Sequence, residues 1–264
     1  GTENEVVAAA KTVPGVKDAV VATLPGTGAV LAGDEYTKLT VTLEAESFSQ
    51  QSFDTIKALR TELATVSSAD AKVGGQEAQQ LEVSQAYQSD QSKIIPIILA
   101  LVFLVLLVLL RSLVAPILLI ITVVGSFFAS LGAGWFIFTN VLGYPALDLS
   151  VYLFSFLFLV ALGVDYNIFL VTRAKEESGK LGLREGMIKA LASTGGVITS
   201  AGVLLAAVFA VLGVLPLIAL LQVGVIVCIG VLLDTLLVRT VIVPALAFIA
   251  GEKFWWPRKP AIES

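Results

Sequence analysis

The chain has 264 residues, 56% of them hydrophobic and 14% charged, with a mean hydropathy of +0.90. That balance belongs to an integral membrane protein and excludes an ordinary soluble domain. A net charge of −4, no histidine and a single cysteine exclude a nucleic-acid partner, a histidine-based metal or acid–base centre and an intrachain disulfide.

Charge is unevenly spread. Residues 1–93 carry 20 of the 38 charged side chains and no long apolar run. Gly1-Thr2-Glu3-Asn4 has no signal-peptide pattern and opens directly into an acidic helix, Thr2–Lys11, as if a domain were already under way. Gly15–Leu24 reads as a strand. Tyr36–Leu43 alternates apolar and polar residues and reads as a second strand. Ser49–Thr65 places Phe53, Ile56, Leu59 and Leu63 on one helical face, and Ala71–Val73 reads as a short strand ended by Gly74-Gly75. The order α-β-β-α-β is a split βαβ, ferredoxin-like unit without its first strand. Gln76–Lys93 is a polar helix leading into the membrane. The expected organisation is therefore a partial extracytoplasmic α+β domain (1–93), a transmembrane α-helical bundle (94–250) and a cytoplasmic tail (251–264).

Five spans follow, each close to the ~20 apolar residues that cross a bilayer: Ile94–Leu110, Val114–Phe138, Leu149–Val171, Thr194–Leu215 and Leu217–Leu236. Asp234 and Arg239 are expected to form a structural pair where the last span leaves the hydrocarbon, with Val241–Ala250 at the interface or under the bundle. The loop 172–193 holds Arg173, Lys175, Lys180, Arg184 and Lys189. Arg111 links the first two spans, and the tail holds Lys253, Arg258 and Lys259. The opposite loops carry no Lys or Arg, so the basic side is the cytoplasm and residues 1–93 lie outside. Leu183, Met187, Ile188 and Leu191 suit a short amphipathic helix on the membrane face, or equally a plain connector helix. Trp255 and Trp256 beside Arg258 suit an interfacial anchor, or equally a simple tail.

Asp165 stands out in this pattern. It lies in the apolar run Leu149–Val171, where insertion of an aspartate costs about 2.5–3.5 kcal/mol. An intramembrane carboxylate marks a proton or ion pathway by default. Arg173 is eight residues further on, about 12 Å along a helix, which puts Asp165 at mid-depth. There the low dielectric favours the neutral acid. Tyr166 points about 100° away from Asp165, so each partner of the pair is expected to meet a group from another segment. No Lys or Arg lies inside the spans as drawn, which argues against a structural ion pair for Asp165. Thr199, Ser200 and Ser155 are further candidates for a polar path, although Ser and Thr commonly bond their own helix backbone. Phe169 shares the Asp165 face at i+4 and is a candidate gate or a packing residue.

The string Gly163-Val164-Asp165-Tyr166-Asn167-Ile168-Phe169 resembles the MMPL family of the resistance-nodulation-division (RND) superfamily. Ser193–Ala201, Asp234–Arg239, Val243–Leu246 and Trp255-Trp256-Pro257 agree with that resemblance. It covers the whole chain and is closest to the second half of such a transporter. It implies a twelve-helix machine of two similar halves in the bacterial inner membrane, with Asp-Tyr pairs from the two halves relaying protons. Asp165, Tyr166, Phe169 and Ser200 match relay positions. The partners implied are membrane lipids, the N-terminal half of the same transporter and a hydrophobic or lipid substrate. A homo-oligomer is left open. The proton serves as coupling ion, no cofactor is implied, and neither a nucleophile–base pair nor a phosphate loop suggests an enzyme. Proton-driven export of lipids or hydrophobic compounds is the expected function. SecDF-like assistance of protein export and a sterol-sensing-like lipid-binding module are the alternatives.

Overall fold

The computed structural model describes residues 2–24, 30–31 and 36–257. Arg258 and Lys259, which enter the orientation argument, lie outside the described residues. The chain falls into two compact units, Gly1–Ser89 and Asp90–Ser264.

In the first unit, helix α1 (Thr2–Thr12) leads into strand β1 (Val16–Val21), which pairs antiparallel with β2 (Leu39–Leu43). Val21 faces Leu39 and Ala19 faces Val41 across the ladder. Helix α2 (Gln50–Leu63) is started by Ser49, whose hydroxyl accepts from the Ser52 amide at 3.1 Å. This satisfies one of the helix's unpaired N-terminal donors. Val6, Ala10, Ala19, Leu59 and Leu63 form the core between these elements. The expected strand at Ala71–Val73 is absent; the described residues hold one sheet of two strands. The Val73 carbonyl accepts from Arg60 Nη2 at 3.3 Å instead of from a neighbouring strand.

Helix α3 (Gln76–Leu110) belongs partly to each unit. The second unit continues with α4 (Val114–Phe136), α5 (Leu149–Leu181), α6 (Leu183–Leu212), α7 (Ile218–Leu233) and α8 (Val243–Ala250). A π-helical turn, Ile137–Val141, extends α4. A longer π-helical segment, Asp234–Ile242, joins α7 to α8, and a 3-10 turn, Gly251–Trp255, follows. Five stretches are long and apolar enough to cross a membrane: Gln76–Leu110, Val114–Val141, Leu149–Leu181, Leu183–Leu212 and Ile218–Trp255. The fold is an α-helical membrane bundle of five spans preceded by a small α+β element. Its core runs through Phe127, Phe156, Leu170, Met187, Ile226 and Trp255.

Three local expectations are changed or narrowed. The amphipathic stretch from Leu183 is no separate surface helix but the first turns of α6, continuous with the span. Gly182 makes this possible: its φ of +83° turns the chain sharply enough for α6 to start at the next residue. Met187 and Ala190 are then fully buried. Second, of the two placements open to Val241–Ala250, the structure has α8 packed by one face against the bundle, with Val243 and Ala247 buried and Phe248 and Ile249 exposed. Third, Trp255 is no interfacial anchor. It is 2% exposed and stacks edge-on against Phe254 at 4.9 Å, while Trp256 remains 57% exposed. The Ser112 hydroxyl donates to the Phe254 carbonyl at 2.8 Å, tying this turn to the α3–α4 connection.

Gly202 lets α6 approach the π-helical segment closely. A Cβ there would stand 2.4 Å from Thr235 Oγ1 and 2.9 Å from Thr235 Cβ. At Gly195 on the same helix a Cβ meets nothing within 4 Å. Gly202→Ala is therefore expected to destabilise the bundle by about 1–3 kcal/mol, the usual effect of overpacking. Gly195→Ala should leave it unchanged or raise it. Melting curves of the two purified variants check the contrast.

Candidate functional site

Asp165 and Tyr166 are consecutive on α5 and leave the helix in different directions. Asp165 is exposed on the outer face of the bundle, whereas Tyr166 is half-buried. Phe169, one turn on, shares the outer face and is 53% exposed. Leu157 and Phe158 on α5 are exposed as well. The carboxylate thus stands on a broad apolar surface, and among the described residues no ion pair engages it.

Ser200 is exposed and Thr199 half-exposed on α6. Both line an open groove with Gly195, Gly196, Val203, Leu204 and Ala207. The Ser200 hydroxyl donates to the Val197 carbonyl at 2.9 Å, a bond within its own helix. Ser155 is fully buried, and its hydroxyl has no hydrogen-bond partner among the described residues. Asn167, inside the same α5 string, is 1% exposed, and neither its amide oxygen nor its nitrogen is partnered there.

The inward side of the site comes from the π-helical segment. The sequence placed Asp234 and Arg239 at the edge of the hydrocarbon; the structure buries both inside the bundle. Arg239 Nη2 stands 3.0 Å from Asp234 Oδ2, with 2% and 8% of the two side chains exposed. The Arg239 guanidinium carbon lies 4.7 Å from the centre of the Tyr166 ring, within cation–π range. An added Cβ on Gly163 would stand 3.8 Å from Asp234 Oδ1. Asp234 and Arg239 are therefore a buried pair that the half-buried Tyr166 joins through its ring. Arg239 lies beyond the last span as drawn from sequence, yet inside the bundle; it is engaged by Asp234 rather than by Asp165. Tyr166, expected to meet a carboxylate from another segment, here lies under a guanidinium.

Sequence reasoning paired Asp234 with Arg239 but missed their burial and the link to Tyr166. On an α-helix, residues five apart point about 140° away from each other. In the π-helical segment the bonds run i→i+5, as from the Val243 amide to the Val238 carbonyl, and residue i+5 returns over residue i. Pro244 was the available signal. It carries no N–H, and its ring crowds the carbonyl of Thr240, so α-type bonding fails just before it.

A second ionic cluster ties α5 to α6 beyond the apolar stretch. Glu177 is buried between Arg173 (2.7 Å) and Lys189 (2.8 Å). The Lys189 ammonium, then Arg173 and Lys180, hold the Glu177 carboxyl below its ordinary value of 4.5 against the opposing effect of burial. A carboxyl depressed in the folded state stabilises it fully above the ordinary value, and that contribution fades as the pH falls through the depressed value. Wild type is thus expected to be more stable than Glu177→Gln at pH 7. The difference should shrink once the pH drops below about 4.5, as melting temperatures of the two proteins measured across pH will show. Among the described residues no cluster of His, Cys, Asp or Glu is placed to hold a metal ion.

Comparison with known proteins agrees with this architecture. The MMPL family model matches residues 3–263. A Streptomyces coelicolor membrane protein is 52% identical over 233 residues, 88% of this chain and 33% of its own length. The apo-petrobactin exporter of Bacillus anthracis is 41% identical over 227 residues, 83% of this chain and 31% of its own. The sulfolipid-1 exporter MmpL8 of Mycobacterium tuberculosis is 45% identical over 151 residues, 55% of this chain and 13% of its own. The chain spans about a third of the length of the first two.

Proposed function

The chain belongs to the MMPL family, and from that premise we propose that it serves as one half of a proton-driven exporter of lipids or other hydrophobic compounds across the inner membrane. The observation that carries this reading is Asp165: a carboxylate on an apolar helix face, beside Phe169 and the Thr199–Ser200 groove. A charge in that setting is stabilised by losing itself to a proton or by meeting a partner from another segment. The exposed face supports docking of the complementary half, whose own polar pair would complete the relay. Tyr166 reaches inward from the same turn to Arg239. A proton event at Asp165 therefore has a physical route to the buried Asp234–Arg239 pair, and through it to α7 and α8.

Relatives named as exporters of a sulfolipid and of apo-petrobactin favour export of a lipid or other non-protein compound over assistance of protein export. The basic loops around α5–α6 and before α4 support a cytoplasmic location for the C-terminal side. Proton flux into proteoliposomes holding the full-length transporter tests the reading against a lipid-binding sensor. Flux that depends on Asp165 is expected. Export with no such flux would refute it.

A further inference from the structure

A small void lies between α4, α5 and the π-helical segment, lined by Ser126, Leu162, Gly163, Tyr166, Asp234 and Thr235 among others. The space open to the centre of a water-sized sphere is about 10 Å³, which corresponds to a single water. Asp234 is 5% exposed, yet its Oδ1 has no hydrogen-bond partner among the described residues, since Arg239 engages only Oδ2. Thr235 Oγ1, 1% exposed, is likewise unpartnered there. Oδ1 is turned toward Gly163, which also borders the void. A buried carboxylate oxygen facing a water-sized space among hydroxyl groups is the setting in which proteins hold structural water.

We propose that this void is a water-binding site, in which one water donates to Asp234 Oδ1 and connects it to the polar groups of Ser126, Tyr166 and Thr235. An apolar void of this size stays dry; this one has a carboxylate oxygen and three hydroxyl-bearing residues on its wall, within the two to four partners a buried water takes. The water's role rests on the relay reading above. It gives the proton a branch from Tyr166 to Asp234 inside this half, separate from the outward face of Asp165.

Gly163→Ala tests the site because its methyl enters the void without a clash. The nearest atoms would be Val123 Cγ2 at 3.6 Å and Asp234 Cγ and Oδ1 at 3.8 Å. In a dry void, alanine should raise the melting temperature by filling space and by its better helix propensity. If water is displaced, Oδ1 loses its donor and the melting temperature should fall. The same substitution in an Asp234→Leu/Arg239→Met background, where the carboxylate that anchors the water is gone, should raise it. A fall in the first background with a rise in the second is the expected result. A rise in both overturns the site, and so does a fall in both, which would indicate steric strain. Proton flux of Gly163→Ala in proteoliposomes should also drop; flux at the wild-type rate overturns the branch. Failure of the relay reading is read separately, as flux that survives Asp165→Asn.

Discussion

Asp165→Asn is expected to reduce export by the full-length transporter to background while leaving its melting temperature within about a degree of wild type. The two halves of that expectation have different causes. Asparagine keeps the volume and polarity of the side chain but holds no ionisable group, so the proton exchange proposed for the site would be lost. Folding should be indifferent, because Asp165 is exposed in this unit and among the described residues no ion pair engages it. An isosteric change that still offers a hydrogen-bonding side chain to a partner from the complementary half has none of the mechanisms that give large destabilisation. Transport of labelled substrate together with proton flux in proteoliposomes measures the first half, and thermal denaturation of the purified protein the second. Export that persists in the mutant would refute the relay. Lost export together with a large fall in melting temperature would assign Asp165 a structural role instead.

The sequence made Asp165 visible because an apolar run leaves few reasons for a carboxylate. It made the five spans visible for the related reason that length and hydropathy suffice in a bilayer. What it hid depends on tertiary packing. Leu183–Leu191 has the periodicity of a surface helix, but Gly182 lets it run on into the span, and Met187 joins the buried core. Trp255 carries an interfacial residue type, yet the Ser112 bonds draw its turn against the bundle. Ala71–Val73 stands between turn residues as a short strand would, but it has no ladder among the described residues. The burial of Arg239 was least legible. Its spacing from Asp234 makes a close pair only where the helix is wound with i→i+5 bonds, and no hydrophobic pattern announces that winding; Pro244 alone hints at it. The consequence for the site is substantial. Read from sequence, Asp165 and Tyr166 were a pair waiting for a distant partner. In the structure Tyr166 already has one, on the last span.

Arg239→Ala is expected to be the most destabilising single change in the bundle, by about 3–5 kcal/mol, the range for removing one partner of a buried ion pair. The guanidinium is 2% exposed, bonds Asp234 Oδ2 at 3.0 Å and covers the Tyr166 ring. Its removal leaves a buried carboxylate without its cation and opens a space beside the tyrosine ring. Arg239→Lys should recover only part of the loss, because an ammonium cannot lie flat on the ring while it reaches the carboxylate. Asp234→Leu/Arg239→Met removes both charges and refills the space. By the same principle it should fold at least about as well as wild type, since two desolvated ions are exchanged for packed hydrocarbon. That double variant is the informative one. If it is stable yet inactive in export, the pair is kept for what it does with Tyr166 and not for holding α7 against its neighbours. If it is stable and fully active, Asp234 and Arg239 are structural only. Chemical denaturation of the three variants and the parent protein, followed by export measurements on those that fold, decides between the two. A loss for Arg239→Ala of under about 1 kcal/mol would mean that bulk solvent or the membrane surface reaches Asp234, in contradiction to its burial. The winding of the π-helical segment makes this prediction sharp. A pair five residues apart depends on that winding, so the energy of the ion pair and the shape of the last span stand or fall together.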